Sequence, residues 1–222
     1  AYKGIWPDTE VVLHIGTTDH ILEKLLENVV DMGLVGGPIE DRRFAVEPVC
    51  PDELVLIAAP THPIVSLGKV TLKDLAGLPF IVPESGSRTR QLLERKFREA
   101  GVPLKIAMQL PGTEGVKRGV EACLGVGMVS CYSVESECQQ GVLRRVPIEG
   151  WRITRTMNLV YRNQKYFSPV GEHFREFAKS YGERQLASSA ASAEGGESTG
   201  QRSPAAGRRT GGRTGGVRSD RG

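Results

Sequence analysis

The sequence predicts an α/β fold, and three observations support that reading. Between positions 10 and 182 the apolar residues switch repeatedly from short β-type runs to helical spacings of three and four. A strand, a small-residue turn and a helix start follow one another three times along the chain. The 222 residues are 39% hydrophobic and 25% charged, enough apolar material for one sizeable domain or two small lobes and too much for a disordered or fibrous chain.

Residues 10–15 read as a strand, followed by Gly16, Thr17 and Thr18 and then a helix with Ile21, Leu22, Leu25, Leu26 and Val29 on one face. Either threonine can cap that helix through its hydroxyl. Residues 32–35 form a short buried strand ending at Gly36 and Gly37, and 44–49 and 53–59 form two more, the second stopped by Pro60. One helical turn at 71–75 precedes a strand at 80–83. A helix opened by residues 85–90 then buries Leu92, Leu93, Phe97 and Ala100, and Gly101 and Pro103 close it. The same grammar repeats: strand 105–110, turn 111–113, and a helix with Val116, Val120, Cys123 and Leu124 inward. Strand 126–130, a short helix at 134–139, and strands at 142–146 and 154–161 follow. A last helix turns Val170, Phe174, Phe177 and Tyr181 inward. Parallel strands are the expected product of this alternation, and no fixed-period repeat runs through it.

Composition removes several function classes. The longest strongly apolar run, residues 54–60, is far short of the ~20 residues of a membrane span, and no positive-then-apolar leader opens the chain, so a protein neither inserted nor secreted is expected. The formal charge of +3 suggests a nucleic-acid partner until it is located. Residues 183–222 hold seven arginines against four acids, and the first 182 residues are neutral, with 22 basic and 22 acidic side chains. That segment is Gly, Ser, Ala and Arg with only Leu186 and Val217 as bulky apolar residues, so it reads as a disordered tail. Its Arg208 to Arg213 stretch suits non-specific phosphate contact, against the plainer reading of a solvated appendage. Cys50, Cys123, Cys131 and Cys138 form no CxxC pair and the four histidines form no HExxH, so no metal or cofactor is implied. Reduced, mostly buried thiols in a cytoplasmic protein are expected.

The most informative stretch is Ser85 to Arg90. Free backbone N–H groups at a helix start, two serines, Thr89 and a flexible glycine make a donor cluster that favours an anion, and Arg88 and Arg90 deepen the preference. The plainer reading is that Ser87 is an N-cap and both arginines are solvated. Repetition tips the balance, because Gly16-Thr17-Thr18 and Gly112-Thr113-Glu114 are hydroxyl-bearing strand-to-helix turns of the same kind. In an open parallel sheet such turns share the carboxyl edge, where ligands bind. No nucleophile motif surrounds Ser85 or Ser87, and His62 reads as a loop histidine. Gly125-Val126-Gly127 precedes a strand instead of following one, so close backbone packing explains it better than a dinucleotide site does.

The order of these pieces resembles the effector-binding domain of LysR-type transcriptional regulators, a two-lobed, periplasmic-binding-protein-like (type 2) fold with mixed sheets. The similarity spans residues 2–181. It rests on Trp6-Pro7-Asp8, Asp31-Met32-Gly33-Leu34-Val35, Asp52-Glu53-Leu54-Val55-Leu56 with His62-Pro63 beyond it, and Leu72-Lys73-Asp74-Leu75-Ala76. Phe80-Ile81-Val82 leading to Gly86-Ser87-Arg88-Thr89-Arg90, then Glu114-Gly115-Val116-Lys117 and Leu124-Gly125-Val126-Gly127, complete it.

The resemblance implies lobe I at residues 1–60 and 144–182 and lobe II at 61–143, with a small anionic or carboxylate effector between them. By position, the effector contacts are Thr17 and Thr18 from lobe I and Ser85, Ser87, Thr89 and Thr113 from lobe II, with Arg90 supplying charge. It also implies a homodimer or tetramer, no membrane and no catalysis. The family's first strand and helix precede the position of Tyr2 and its DNA-binding helix-turn-helix lies further upstream, so DNA contact is expected only through that missing head. Two rivals share the scaffold. One is a solute-binding protein of a transporter, and the other is an enzyme such as a dehydratase, for which Glu84 and Glu114 are the nearby carboxylates.

Overall fold

The structure, a computed structural model, describes residues 1–194, apart from the side chains of residue 183 and of residues 185–194. Helix α1 (Tyr2–Ile5) is one turn, and α2 (Thr18–Leu26) follows an extended segment. Strands β1 (Gly33–Gly36), β2 (Phe44–Ala58) and β3 (Phe80–Pro83) come next. Helix α3 (Arg88–Glu99) links β3 to β4 (Ile106–Leu110), and α4 (Gly112–Glu121) links β4 to β5 (Val126–Ser130). Helix α5 (Glu135–Gln139), β6 (Arg144–Val146), β7 (Ile153–Arg162) and α6 (Pro169–Glu194) finish the order.

The seven strands form one mixed sheet in the order β1-β7-β2-β5-β3-β4, with β6 also on β2. Only β3 pairs in parallel, with β4 and β5; β1 with β7, and β2 with β5, β6 and β7, run antiparallel. The parallel expectation is therefore corrected for most of the sheet. It holds where α3 and α4 supply the crossover that parallel neighbours need, and fails where the chain returns without one. The strands expected at 44–49 and 53–59 are a single strand, β2, with a register shift between Pro48 and Cys50. Its first part pairs with β7 as far as Leu54, and residues 54–58 pair with β5 and β6.

Residues 10–15 are not a strand. They have no regular secondary structure and are mostly exposed, with Val12 at 70%, Leu13 at 79% and Ile15 at 86% of full exposure. A strand exists only where a neighbour completes its ladder, and among the described residues no strand pairs with this segment. Elsewhere the helical periodicity is sound: Ile21, Leu25, Leu93, Phe97, Val116 and Val120 are all buried. The last position of each expected stripe fails, since Val29, Leu124 and Tyr181 are exposed, as is Val170 near the start of α6. Cys123, expected inside, is exposed with φ +60° and lies beyond the end of α4. Helix α6 continues to Glu194, and residues 195–222, most of the expected tail, lie outside the described residues.

Helix α6 docks on the sheet through aromatic and ionic contacts. Tyr2 meets Phe174 and Phe177 edge to face at 4.9 and 5.2 Å. The Tyr161 hydroxyl donates to Glu47 Oε1 at 2.5 Å, and Lys179 and Arg175 lie 3.2 and 3.5 Å from the same carboxylate. Burial pushes the Glu47 carboxyl up, but Tyr161, Lys179 and Arg175 outweigh it and leave the group below its ordinary value. A depressed carboxylate stabilises above its unfolded pKa and loses that contribution as pH falls through its folded one. Thermal midpoints are therefore expected to drop as pH is lowered through and below about 4 to 5. Glu47→Gln should flatten part of that fall, and an identical pH profile in that variant would contradict the role.

Candidate functional site

Three helix starts lie close together, and side-chain contacts record it. Arg88, the first residue of α3, donates from Nη2 to Asp19 Oδ1 in the first turn of α2 at 3.1 Å. Glu84, in the turn after β3, accepts from the backbone N–H of Gly112 at 2.6 Å, at the start of α4. The starts of α2 and α4 are thus each tied to the segment 84–89. Gly86, at φ +89°, makes the turn a residue with a Cβ would resist.

The expected contact residues occupy these turns. Thr17 is the N-cap of α2 and accepts from the His20 N–H at 3.4 Å, and Thr18 follows it as the first helical residue. Ser85 is exposed in the turn, and Ser87 is the N-cap of α3, although its hydroxyl makes no capping bond. Thr113 is half-buried at the second position of α4. Arg90 has partners of its own. Its guanidinium donates to Glu94 Oε1 at 2.7 Å and to Gln109 Oε1 at 2.6 Å, so its charge is already held by α3 and β4. An i,i+4 carboxylate is always within reach of a helix arginine, and this one captures it.

Thr89 leads to residues that the sequence reading missed. Its Oγ1 accepts from Arg155 Nη1 on β7 at 2.8 Å, and Arg155 Nε donates to Asp52 Oδ2 on β2, also at 2.8 Å. Asp52 is fully inaccessible and accepts a further bond from the Ser130 hydroxyl at the end of β5, at 2.6 Å. The Cys131 thiol lies beside it at 3.8 Å, and burial pushes that thiol up, away from reactivity. A charged pair in a strand of alternating pattern gave a faint sequence signal: Asp52 breaks the apolar register just before Leu54, Leu56 and Ala58.

Every guanidinium at the site is matched by a carboxylate: Arg88 by Asp19, Arg90 by Glu94, Arg155 by Asp52. Attraction for an anion therefore rests on helix-start N–H groups and hydroxyls, or on an arginine changing partners. The carboxylates needed for acid-base chemistry are committed elsewhere. Glu84 caps α4, and Glu114 pairs with the buried Lys117 at 2.6 Å. Among the described residues no group of three or more His, Cys, Asp or Glu side chains lies close enough to hold a metal ion. Two surface hollows of about 380 and 440 Å³, one between Ile64–Val70 and Arg145–Glu149 and one around Glu135, Cys138 and Leu143, contain none of the candidate residues.

Comparison with known proteins agrees with the fold. The model of the LysR substrate binding domain matches residues 1–183. The chain is 31% identical over 176 residues to the uncharacterized HTH-type transcriptional regulator YeiE of Escherichia coli K12, covering 79% of this chain and 60% of the relative. It is 35% identical over 168 residues to the RuBisCO operon transcriptional regulator of Allochromatium vinosum, covering 76% and 56%. The chain thus spans three-fifths or less of the length of these curated relatives. Among solved structures, the regulatory domain of Synechocystis CcmR in complex with 2-PG superposes with a TM-score of 0.73 at 23% identity, over 81% of this chain and 86% of that one. The effector-binding domain of QuiR in complex with shikimate gives 0.66 at 22% identity, over 76% and 79%.

Proposed function

Because the chain belongs to the LysR substrate-binding domain family, we propose that it is the effector-sensing part of a LysR-type transcriptional regulator and carries out no catalysis. In this reading lobe I is residues 1–60 and 144–182 and lobe II is residues 61–143, and the change of strand partners along β2 at Leu54 lies shortly before the first boundary. A small anionic or carboxylate effector sits between them on Thr17, Thr18, Ser85, Ser87, Thr89 and Thr113. The effector stabilises one lobe arrangement by its differential affinity, and coupling of ~1 to 3 kcal/mol is enough to alter a regulator's output. The output passes through a dimer or tetramer to a DNA-binding head outside this sequence, in the cytoplasm. No helix among the described residues is long and apolar enough to cross a membrane.

One observation bears most of the weight: the first turns of α2 and α3 meet through Asp19 and Arg88, which brings the hydroxyl-bearing starts of the two helices near one another. That convergence is what a bridging ligand needs. The effectors of two structural neighbours, 2-PG and shikimate, are both small anions and serve as probes. Ser87→Ala and Thr113→Ala are each expected to weaken binding of the better probe by about 1 to 3 kcal/mol, the cost of leaving a buried polar partner unmade. Calorimetry showing full affinity in both variants would remove this site assignment. Arg90→Ala is expected to leave affinity nearly unchanged, since its guanidinium is spent on Glu94 and Gln109.

A further inference from the structure

The effector reading assigns no ligand contact to Asp19 or Arg155, although both reach from the proposed lobe I to consecutive residues of one helix turn in the proposed lobe II. Asp19 holds Arg88 at 3.1 Å and Arg155 holds Thr89 at 2.8 Å. We propose that these two contacts form a latch that ties the two proposed lobes together at this edge, and that an anionic effector inserts into it, an effector oxygen taking the Arg155 Nη1 bond from Thr89 while the Thr89 hydroxyl donates to the effector. The proposal rests on the two-lobe effector reading above and adds how that site is regulated.

The two halves of the latch differ in kind. Arg155 is a fixed post: only 12% exposed, its Nε is clamped by Asp52, and Asp52 is itself held by Ser130. Its guanidinium lies so close over Gly36 that a Cβ there would stand 2.7 Å from Cζ. The Asp19 to Arg88 pair is 59% and 40% exposed, weak and open to screening by salt. Since Arg88 and Thr89 are neighbours on α3, neither contact can be lost by a rigid shift of that helix without straining the other.

The latch is also incompletely satisfied. Arg88 Nε is buried and has no hydrogen-bond partner. A buried donor without an acceptor is a standing cost that water or an effector oxygen would relieve. A carboxylate or phosphate oxygen at this position outcompetes a neutral hydroxyl for a guanidinium, because charge-assisted hydrogen bonds are roughly twice as strong as neutral ones. Arg155 keeps its hold on Asp52, and the direct Arg155 to Thr89 contact becomes one bridged by the effector, to which the Thr89 hydroxyl donates. Arg155 thus reads the charge of the effector, and Thr89 transmits the reading.

Small-angle X-ray scattering on the full chain tests this without any effector, with mass read from the same profiles. The combined Asp19→Ala and Thr89→Val variant removes both contacts and leaves the Asp52 to Arg155 pair intact. Its radius of gyration is expected to rise by about 1 Å over that of the wild-type chain measured alongside. Arg155→Lys keeps a charge for Asp52 but lacks the fork that also reaches Thr89, so it is expected to widen the particle as well, with cooperative unfolding retained. Wild-type dimensions in both variants would overturn the latch. The scattering result is independent of the Ser87→Ala and Thr113→Ala calorimetry: widened latch variants with full probe affinity in those two would retire the effector site and leave the latch standing.

Discussion

Asp52→Ala is expected to lower folding stability by about 3 to 5 kcal/mol, the range for stripping one partner from a buried ion pair. The Asp52 side chain is inaccessible, and its oxygens accept from Arg155 Nε and the Ser130 hydroxyl at 2.8 and 2.6 Å. Removing it leaves a guanidinium that is only 12% exposed without a counter-charge, where water cannot fully replace the lost carboxylate. Against a total of roughly 5 to 15 kcal/mol for a natural domain, that is a large fraction. In urea the midpoint should fall while the slope is kept. The control is the double replacement Asp52→Leu with Arg155→Met, expected to cost much less, because the pair's own attraction is largely offset by the desolvation of both charges. A double-mutant cycle therefore separates the worth of the pair from the penalty of orphaning one member. Asp52→Ala within about 1 kcal/mol of wild type would show that water reaches Arg155 readily.

How much of this was legible in the sequence follows from what kind of information each feature needs. Leu93, Phe97, Val116 and Val120 are spaced by the helix itself, so periodicity located them and they are buried. Gly86, Ser87 and Thr113 announce helix starts by residue type, and they stand at the starts of α3 and α4. Strand direction is not a local property. Nothing in residues 153–162 says that they run antiparallel to both β1 and β2, and the parallel expectation failed there. Residues 10–15 show the converse case, since their apolar run is strand-like but no described neighbour supplies a ladder. The partners of the arginines were equally hidden. Arg88 to Asp19 spans 69 positions and Arg155 to Asp52 spans 103, and only the folded chain selects such pairs. For Arg90 the local partner Glu94 was visible four residues on, and the folded chain pairs the two.

Gly125→Ala is expected to destabilise the protein by about 3 kcal/mol or more, above the ordinary range for overpacking. A Cβ at this position would stand 2.3 Å from the carbonyl oxygen and 3.1 Å from the carbonyl carbon of Pro79. Both obstacles are backbone, and they cannot retreat, because the neighbouring Val126 N–H donates to that same oxygen at 2.9 Å. The bond pins the start of β5 to the start of β3, where Phe80 pairs with Val126 and both side chains are fully buried. Relieving the clash therefore means separating two strands in the middle of the sheet. Gly127, two residues on, makes the comparison informative. A Cβ there meets Val116 Cγ1 at 2.7 Å and Val120 Cγ2 at 3.2 Å, the ends of side chains that can shift by a few tenths of an ångström. Gly127→Ala is accordingly expected to cost about 1 to 3 kcal/mol. The test is the order of the two in one denaturation series. If Gly127→Ala proves the more damaging, the barrier is crowding of α4 against the sheet, and the close approach of Gly125 to Pro79 is not what fixes the β3 to β5 register.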